Sequence, residues 1–276
     1  MSERNRKNSM VYTSSFTSWQ ETVPSLLNAC SLLEKISSEK KLLIKPNLVE
    51  PQEPPITTPV QLVAALVDHI HASLPGLEII IGEGCGSASN NTWQIFEALG
   101  YNRLDDLPHV TLMDLNEAPL VHMQNSSCKR WPEMYLPEIV FESFLISVPV
   151  LKAHSLAGVT LTMKNMIGLA PPAHFQQGGH WKKASFHQRI QEAVFDLNRY
   201  RTPDFTLLDA TIGMQEAHLW GPTCDPPPHR LAAGYDPVAI DSYGCRLLGI
   251  DWNSIGHLSM AHGVLGTADP LTIQEV

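Results

Sequence analysis

The stretch from Val148 to Gly168, VPVLKAHSLAGVTLTMKNMIG, sets two lysines, a histidine and an asparagine between apolar runs. Lys152 and His154 follow the run Phe144 to Val148. Lys164 and Asn165 follow a second run, Val159 to Met163. Only 17% of the chain is charged, and lysine is seldom fully buried. Ammonium groups at the mouths of two buried segments therefore read as parts of a site. Such groups bind a carboxylate or phosphate, and with a lowered pKa they serve as general base or Schiff-base nucleophile. The plainer alternative is that each lysine snorkels to solvent from a strand end.

Other polar residues fall at the same kind of place. Lys45 and Asn47 follow Leu42-Leu43-Ile44, Glu83 follows Leu77 to Ile81, Asp114 follows Val110 to Met113, and Asp209 follows Phe205 to Leu208. Ligands of open α/β sheets bind outside the carboxyl ends of the strands, so parallel strands would gather these side chains at one edge. Lys45, Lys152 and Lys164 brought together repel. Either an anion or Glu83 compensates, or one lysine holds a lowered pKa. The glycine-rich Gly82–Ser87 segment precedes a helix, where an anion is favoured. It matches neither a Walker loop nor a full G-x-G-x-x-G, and Cys85 within it reads as a small buried thiol. Among twelve histidines no spacing matches a zinc motif, so no metal ligand is assigned. His174 and His180 read as loop residues, whereas His154 and His187 suit acid/base or hydrogen-bonding work near neutral pH. Asp236 before Pro237 reads as a helix N-cap. Asp241, one turn later, either complements the helix dipole or faces the site.

The elements that must position these residues can be read from periodicity. Strands are expected at Val11–Ser14, Leu42–Ile44, Leu77–Ile81, Val110–Met113, Phe144–Val148 and Phe205–Leu208. Helices are expected at Gln20–Ile36, Val60–Ser73 behind a Thr57-Thr58-Pro59 cap, Thr92–Leu99, Ser185–Tyr200 with Ser185 as cap, Pro237–Leu248 and Ile255–Ala261. Residues 119–140 read as irregular, with a hairpin. Strands alternating with helices, in runs apolar on both faces, argue for an α/β fold: a largely parallel or mixed sheet with helices on both faces.

Composition narrows the function. The net charge is −9, which offers no basic footprint for nucleic acid and no polybasic segment for lipid. No apolar run is long enough for a membrane span. The polar start, residues 1–10, reads as a flexible tail and not a signal peptide. Residues 11–276 then form a single α/β domain. Five scattered cysteines without a C-x-x-C pair fit reduced thiols in the cytoplasm.

Taken in order, LLIKPNLVE, TTPVQLVAALV, IIIGEG, SVPVLKAHSLAGVTLTMKNMIG, KKASFH, LLDATIGMQE and GYDPVAIDSYG resemble the DUF362 family. That family comprises uncharacterised proteins, some fused to ferredoxin-type iron–sulfur modules. The likeness runs from Lys41 to Gly266 and is most specific at K-P-N, at K-x-H with its later K-N, and at D-x-x-A-x-D. It implies a shared pocket in an α/β fold. Carried over residue by residue, it marks Lys45, Asn47, Glu83, Lys152, His154, Lys164, Asn165, Lys183, His187, Asp209 and Asp241. Of these, Lys152, His154, Lys164 and His187 are expected to be catalytic and the other seven to bind substrate. It supplies no settled activity and no cofactor. The chain departs from the pattern at Ala153, where threonine is usual, at MQEAHLWGP after Asp209, and in lacking the cysteine-rich segment. Any electron transfer would thus need a separate ferredoxin-like partner. A fainter, fold-level likeness is to the N-terminal domain of lactate racemase-type proteins.

Three functions compete. The first is an enzyme, of oxidoreductase or lyase/isomerase type, acting on a small anionic metabolite. The second is a redox component served by an iron–sulfur partner in trans. The third is a non-catalytic ligand- or metal-binding protein.

Overall fold

The apolar runs become the strands of one sheet. A computed structural model describes residues 9–276. Its first half contains β1 (Met10–Ser15), α1 (Trp19–Ala29), α2 (Leu32–Ile36), β2 (Lys41–Pro46), α3 (Val60–Ser73), β3 (Glu78–Glu83), α4 (Thr92–Ala98), β4 (Val110–Asp114), β5 (Leu120–Gln124), β6 (Glu133–Pro137) and α5 (Ile139–Glu142). The second half adds β7 (Phe144–Val148), β8 (Val150–His154), β9 (Gly158–Thr160), α6 (Thr162–Asn165), α7 (Pro172–Phe175), α8 (Ile190–Tyr200), β10 (Phe205–Met214), β11 (Arg230–Gly234), α9 (Pro237–Leu247), α10 (Gly256–Ala261) and β12 (Thr272–Glu275).

The ten-stranded sheet runs β12-β1-β11-β10-β7-β2-β3-β4, with β8 paired to β10 and β9 to β8. Strands β10, β7, β2, β3 and β4 are mutually parallel, and β11 joins β10 and β1 antiparallel. The fold is therefore α/β with a mixed sheet. Strands β5 and β6 form a separate antiparallel pair, the hairpin expected within 119–140.

Side chains alternate across the pleat. Leu42 and Ile44 of β2 pack with Leu26 of α1 and Leu66 of α3 on one face, and Leu43 packs with Leu197 of α8 on the other. A further cluster joins Leu208, Ala210 and Ala232 to Val194 of α8, Ile240 of α9 and Leu258 of α10. Each fully buried leucine of this kind contributes about 1.5–3 kcal/mol. Helices thus cover both faces. Among the described residues, no helix is long and apolar enough to cross a membrane.

Several local expectations change. The helix expected over Gln20–Ile36 is two helices, because Ser31 takes a left-handed conformation, φ 50°. Thr58 does not cap α3. Its hydroxyl donates to Val148 O at 2.7 Å and accepts from Asn47 N at 2.8 Å, tying the loop after β2 to the end of β7. Ser185 does not cap α8 but donates to Gln177 O, and α8 starts at Ile190 behind Arg189, φ 54°. The strand expected to stop at Leu208 runs on to Met214, which puts Asp209 inside it. Lys152 and His154, expected after the strand Phe144–Val148, lie within a strand of their own, β8. Of the tail expected over 1–10, residues 1–8 lie outside the described residues, and Met10 opens β1.

Candidate functional site

Strands β2 and β7 are parallel neighbours, yet the chain leaves β2 for β3 on one side and β7 for β10 on the other. The connections therefore diverge above the carboxyl ends of this pair and open a crevice, the topological switch point at which α/β sheets bind ligands. A cavity of about 400 Å³ lies there. Lys45, Asn47, Glu83, Lys152, His154, Lys164, Asn165, Lys183 and His187 all line it.

Its floor is a chain of charge-assisted hydrogen bonds. Period two puts Lys45 on the face of Leu43, and its buried amine donates to Glu83 Oε1 at 2.8 Å, Asn165 Oδ1 at 3.3 Å and Pro46 O at 3.1 Å. Glu83 also accepts from Gly84 N at 2.8 Å and Leu48 N at 3.0 Å. Asn165 Oδ1 takes a second bond from Asn47 Nδ2 at 3.1 Å, and its own Nδ2 donates to Ser147 Oγ and Lys45 O. Asn47 Oδ1 then accepts from Lys152 Nζ at 2.7 Å, and the same amine reaches Ile56 O at 2.5 Å. Gly168 closes the floor: a Cβ there would press on Glu83 Oε1 and the Lys45 amine.

Among the described residues, the remaining lysines have no carboxylate of their own. Lys183 donates to Asn116 Oδ1 and Ala170 O. Lys164, half-buried at the end of α6, is left to face the cavity. Burial, and then Lys164, lower Lys152 to about 7. Burial lowers Lys164 to about 8 and Lys183 to about 7. Lys45 is also pushed down by burial, opposed by Glu83. Among the described lining residues Glu83 is the sole carboxylate facing four lysines. The cavity is short of negative charge.

Three imidazoles complete the wall. Nδ1 of buried His154 accepts from Leu156 N at 3.0 Å and Ala157 N at 3.1 Å. Two donors on one ring nitrogen leave it proton-free, so the ring hydrogen sits on Nε2, which has no partner among the described residues. Burial, then the Lys164 charge, hold this ring far below the usual histidine range, so it stays a neutral donor. His218 stacks on it, centroids 3.9 Å apart, and is lowered to about 3 by burial and then Lys164. His187 stands at the mouth on a short turn, where packing on its inner side and then Lys164 lower its pKa.

Asp209 and Asp241, expected to bind substrate, do not line the cavity. Both carboxylates serve other groups of the fold. Asp209 accepts from Thr211 N at 2.9 Å and Thr211 Oγ1 at 2.7 Å. Asp241 neither faces the cavity nor serves its own helix. It caps α6, accepting from Thr162 N at 2.7 Å and Met163 N at 2.9 Å, and so orients the turn that carries Lys164 and Asn165. Burial raises its pKa to about 7 against the pull of those donors. Asp236 is the N-cap expected of it. The glycine-rich segment lends Gly84 and Gly86 to the wall, but Gly84 N serves Glu83, and the start of α4 is closed by its own Asn91–Gln94 capping box. Cys85 is buried, with its thiol pKa raised by burial. Residues not expected from sequence are His218, Trp220, Trp181 and Gly168. The signal for the first two was the His-x-Trp of the very segment that departs from the family pattern.

An α/β sheet with a lysine-lined cavity at its switch point defines the class of protein. Within that class the chain belongs to the DUF362 family, described as a domain of unknown function, whose model matches residues 42–246. Among solved structures it is similar to the lactate racemase apoprotein from Thermoanaerobacterium thermosaccharolyticum. The TM-score is 0.50 and the identity 12%, over 92% of this chain and 59% of that one. At that identity the likeness is one of fold, and the chain spans 59% of its neighbour's length. No curated protein matches the sequence.

Proposed function

We propose that this protein is an enzyme acting on a small organic anion, a carboxylate or phosphate, held at the β2/β7 crevice. The observation that carries this reading is that Lys152, Lys164 and Lys183 share a cavity of about 400 Å³ and, among the described residues, none of the three has a carboxylate partner. Buried cations without counter-charge are costly, and an anion in the cavity relieves that cost. In this reading Lys152, Lys164 and Lys183 neutralise the anionic group, while Lys45, Glu83, Asn47 and Asn165 hold the floor rigid. Nε2–H of His154 donates to a substrate oxygen, as a neutral imidazole that polarises a carbonyl or steadies an oxyanion. His187, at the mouth, moves the proton to or from solvent. The fold neighbour is a lactate racemase, and lactate is itself a small carboxylate, which accords with the charge of the site.

The test is calorimetric titration with oxalate and with inorganic phosphate at low salt. Saturable binding is expected, weakened at least tenfold by Lys152→Ala and by Lys164→Ala while circular dichroism and the melting transition stay those of a folded protein. Two folded variants with wild-type affinity for both anions would end the proposal.

A further inference from the structure

The cavity is cationic at its floor and aromatic at its rim. His154 and His218 stack at 3.9 Å with 15° between their planes. The ladder continues to Trp220, whose ring lies 6.1 Å from His218. Trp220 is 77% exposed, Trp181 40% and Leu156 59%, and all three line the same mouth. Phe186, Ile167, Val49 and Leu219 extend the apolar wall inward. Large apolar side chains left in water as one patch mark a binding surface, and this patch opens onto the cavity that Lys152, Lys164 and Lys183 line.

The volume points the same way. A cavity of about 400 Å³ falls within the roughly 300–1,000 Å³ range of sites that enclose ligands of drug size. A two- or three-carbon acid touching the lysines would leave the indoles wet. A flat conjugated body attached to the anionic group would instead reach from the lysines to the rim, where π-faces prefer offset or edge contact with indole and imidazole.

We infer that the ligand is an aryl or heteroaryl acid, its carboxylate or phosphate seated among Lys152, Lys164 and Lys183 and its ring lodged between Trp181 and the His154–His218–Trp220 ladder. This rests on the anion-binding reading above and narrows its substrate class. The size and the rings set it apart from a lactate-sized acid.

The experiment compares affinities in the full chain, by calorimetry and by quenching of tryptophan fluorescence. The probes are 2-naphthoate against acetate, 1-naphthyl phosphate against inorganic phosphate, and the uncharged 2-naphthalenemethanol. At least one naphthyl anion is expected to bind ten times or more tighter than its simple counterpart, and the tighter of the two assigns the head group. Trp220→Ala and Trp181→Ala are expected to cut that ratio at least fivefold, with Trp220→Phe restoring part of it. Naphthyl and simple anions of equal affinity overturn the inference. So does a ratio untouched by both tryptophan variants, the result expected of a rim that docks another protein. Either result leaves the anion site standing if oxalate or phosphate still binds in a lysine-dependent way. Binding of 2-naphthalenemethanol as tight as that of the tighter naphthyl anion also overturns the inference, because the ring would then bind without its acid.

Discussion

Raising the pH from 6 to 8 should weaken oxalate binding by about two orders of magnitude, and the reason lies in three amines. In the free protein Lys152 and Lys183 titrate at about 7 and Lys164 at about 8, because burial disfavours their charged forms. An anion against them favours the charged form and returns them toward the ordinary lysine value. The sign follows from linkage. Affinity is fully present below the free-state pKa values, where the amines are already charged, and is lost above them, where binding must first recruit protons. Between pH 6 and 8 that recruitment costs about tenfold for Lys152, about tenfold for Lys183 and about twofold for Lys164, together roughly 200-fold or about 3 kcal/mol. At pH 8 the free lysines lack about two protons in total, so about two should be taken up per ligand bound. Oxalate is fully ionised throughout this range and adds no titration of its own. Calorimetry in two buffers of different ionisation enthalpy reads both quantities. An affinity that moves by less than about threefold, with no proton exchanged, would refute the argument that these amines are poised near neutrality against the ligand.

Two further perturbations probe the floor. Lys45→Met leaves Glu83 buried with only the Leu48 and Gly84 amides as partners, so a loss of about 3–5 kcal/mol is expected. Lys45→Met combined with Glu83→Gln should recover much of it in urea denaturation, and a single variant within about 1 kcal/mol of wild type would show that the pair is not under burial stress. Gly168→Ala drives a methyl group into the Lys45–Glu83 pair. It should cost about 1–3 kcal/mol and loosen oxalate binding as well, whereas an unchanged melting curve would mean that the segment shifts freely.

The fold was largely legible because an apolar run in a buried strand has few other meanings. Leu42–Ile44, Phe144–Val148 and Val110–Met113 read as strands, and each lies within one. The helix over 60–73 has the bounds its periodicity indicates. Where an element is set by neighbours, the reading stopped short. Strand β10 outruns its apolar core because β8 and β11 pair with it beyond Asp209. Strand β8 is missing from the strands expected, because two of its five residues are Lys152 and His154. Ser185 and Thr58 look like caps, since a hydroxyl before a helix is the usual sign of one, yet both hydroxyls find nearer partners in other segments.

The candidate site divides along the same line. By itself the sequence determined that Lys45, Glu83, Lys152, Lys164 and their neighbours follow apolar runs, and parallel strands carry such residues to one edge. The tertiary structure alone decided what each does there. It leaves Lys164 facing the cavity while Lys152 is held by Asn47, because hydrogen-bond partners come from loops far away in the chain. It turns Asp241 from a ligand candidate into the cap of a helix 79 residues distant. It brings His218 onto His154, and Trp220 beside His218, from a segment without periodic signal. Strand propensity is local and survives in the sequence. Burial, which sets the charge of an amine or an imidazole, exists only once the chain has closed around them.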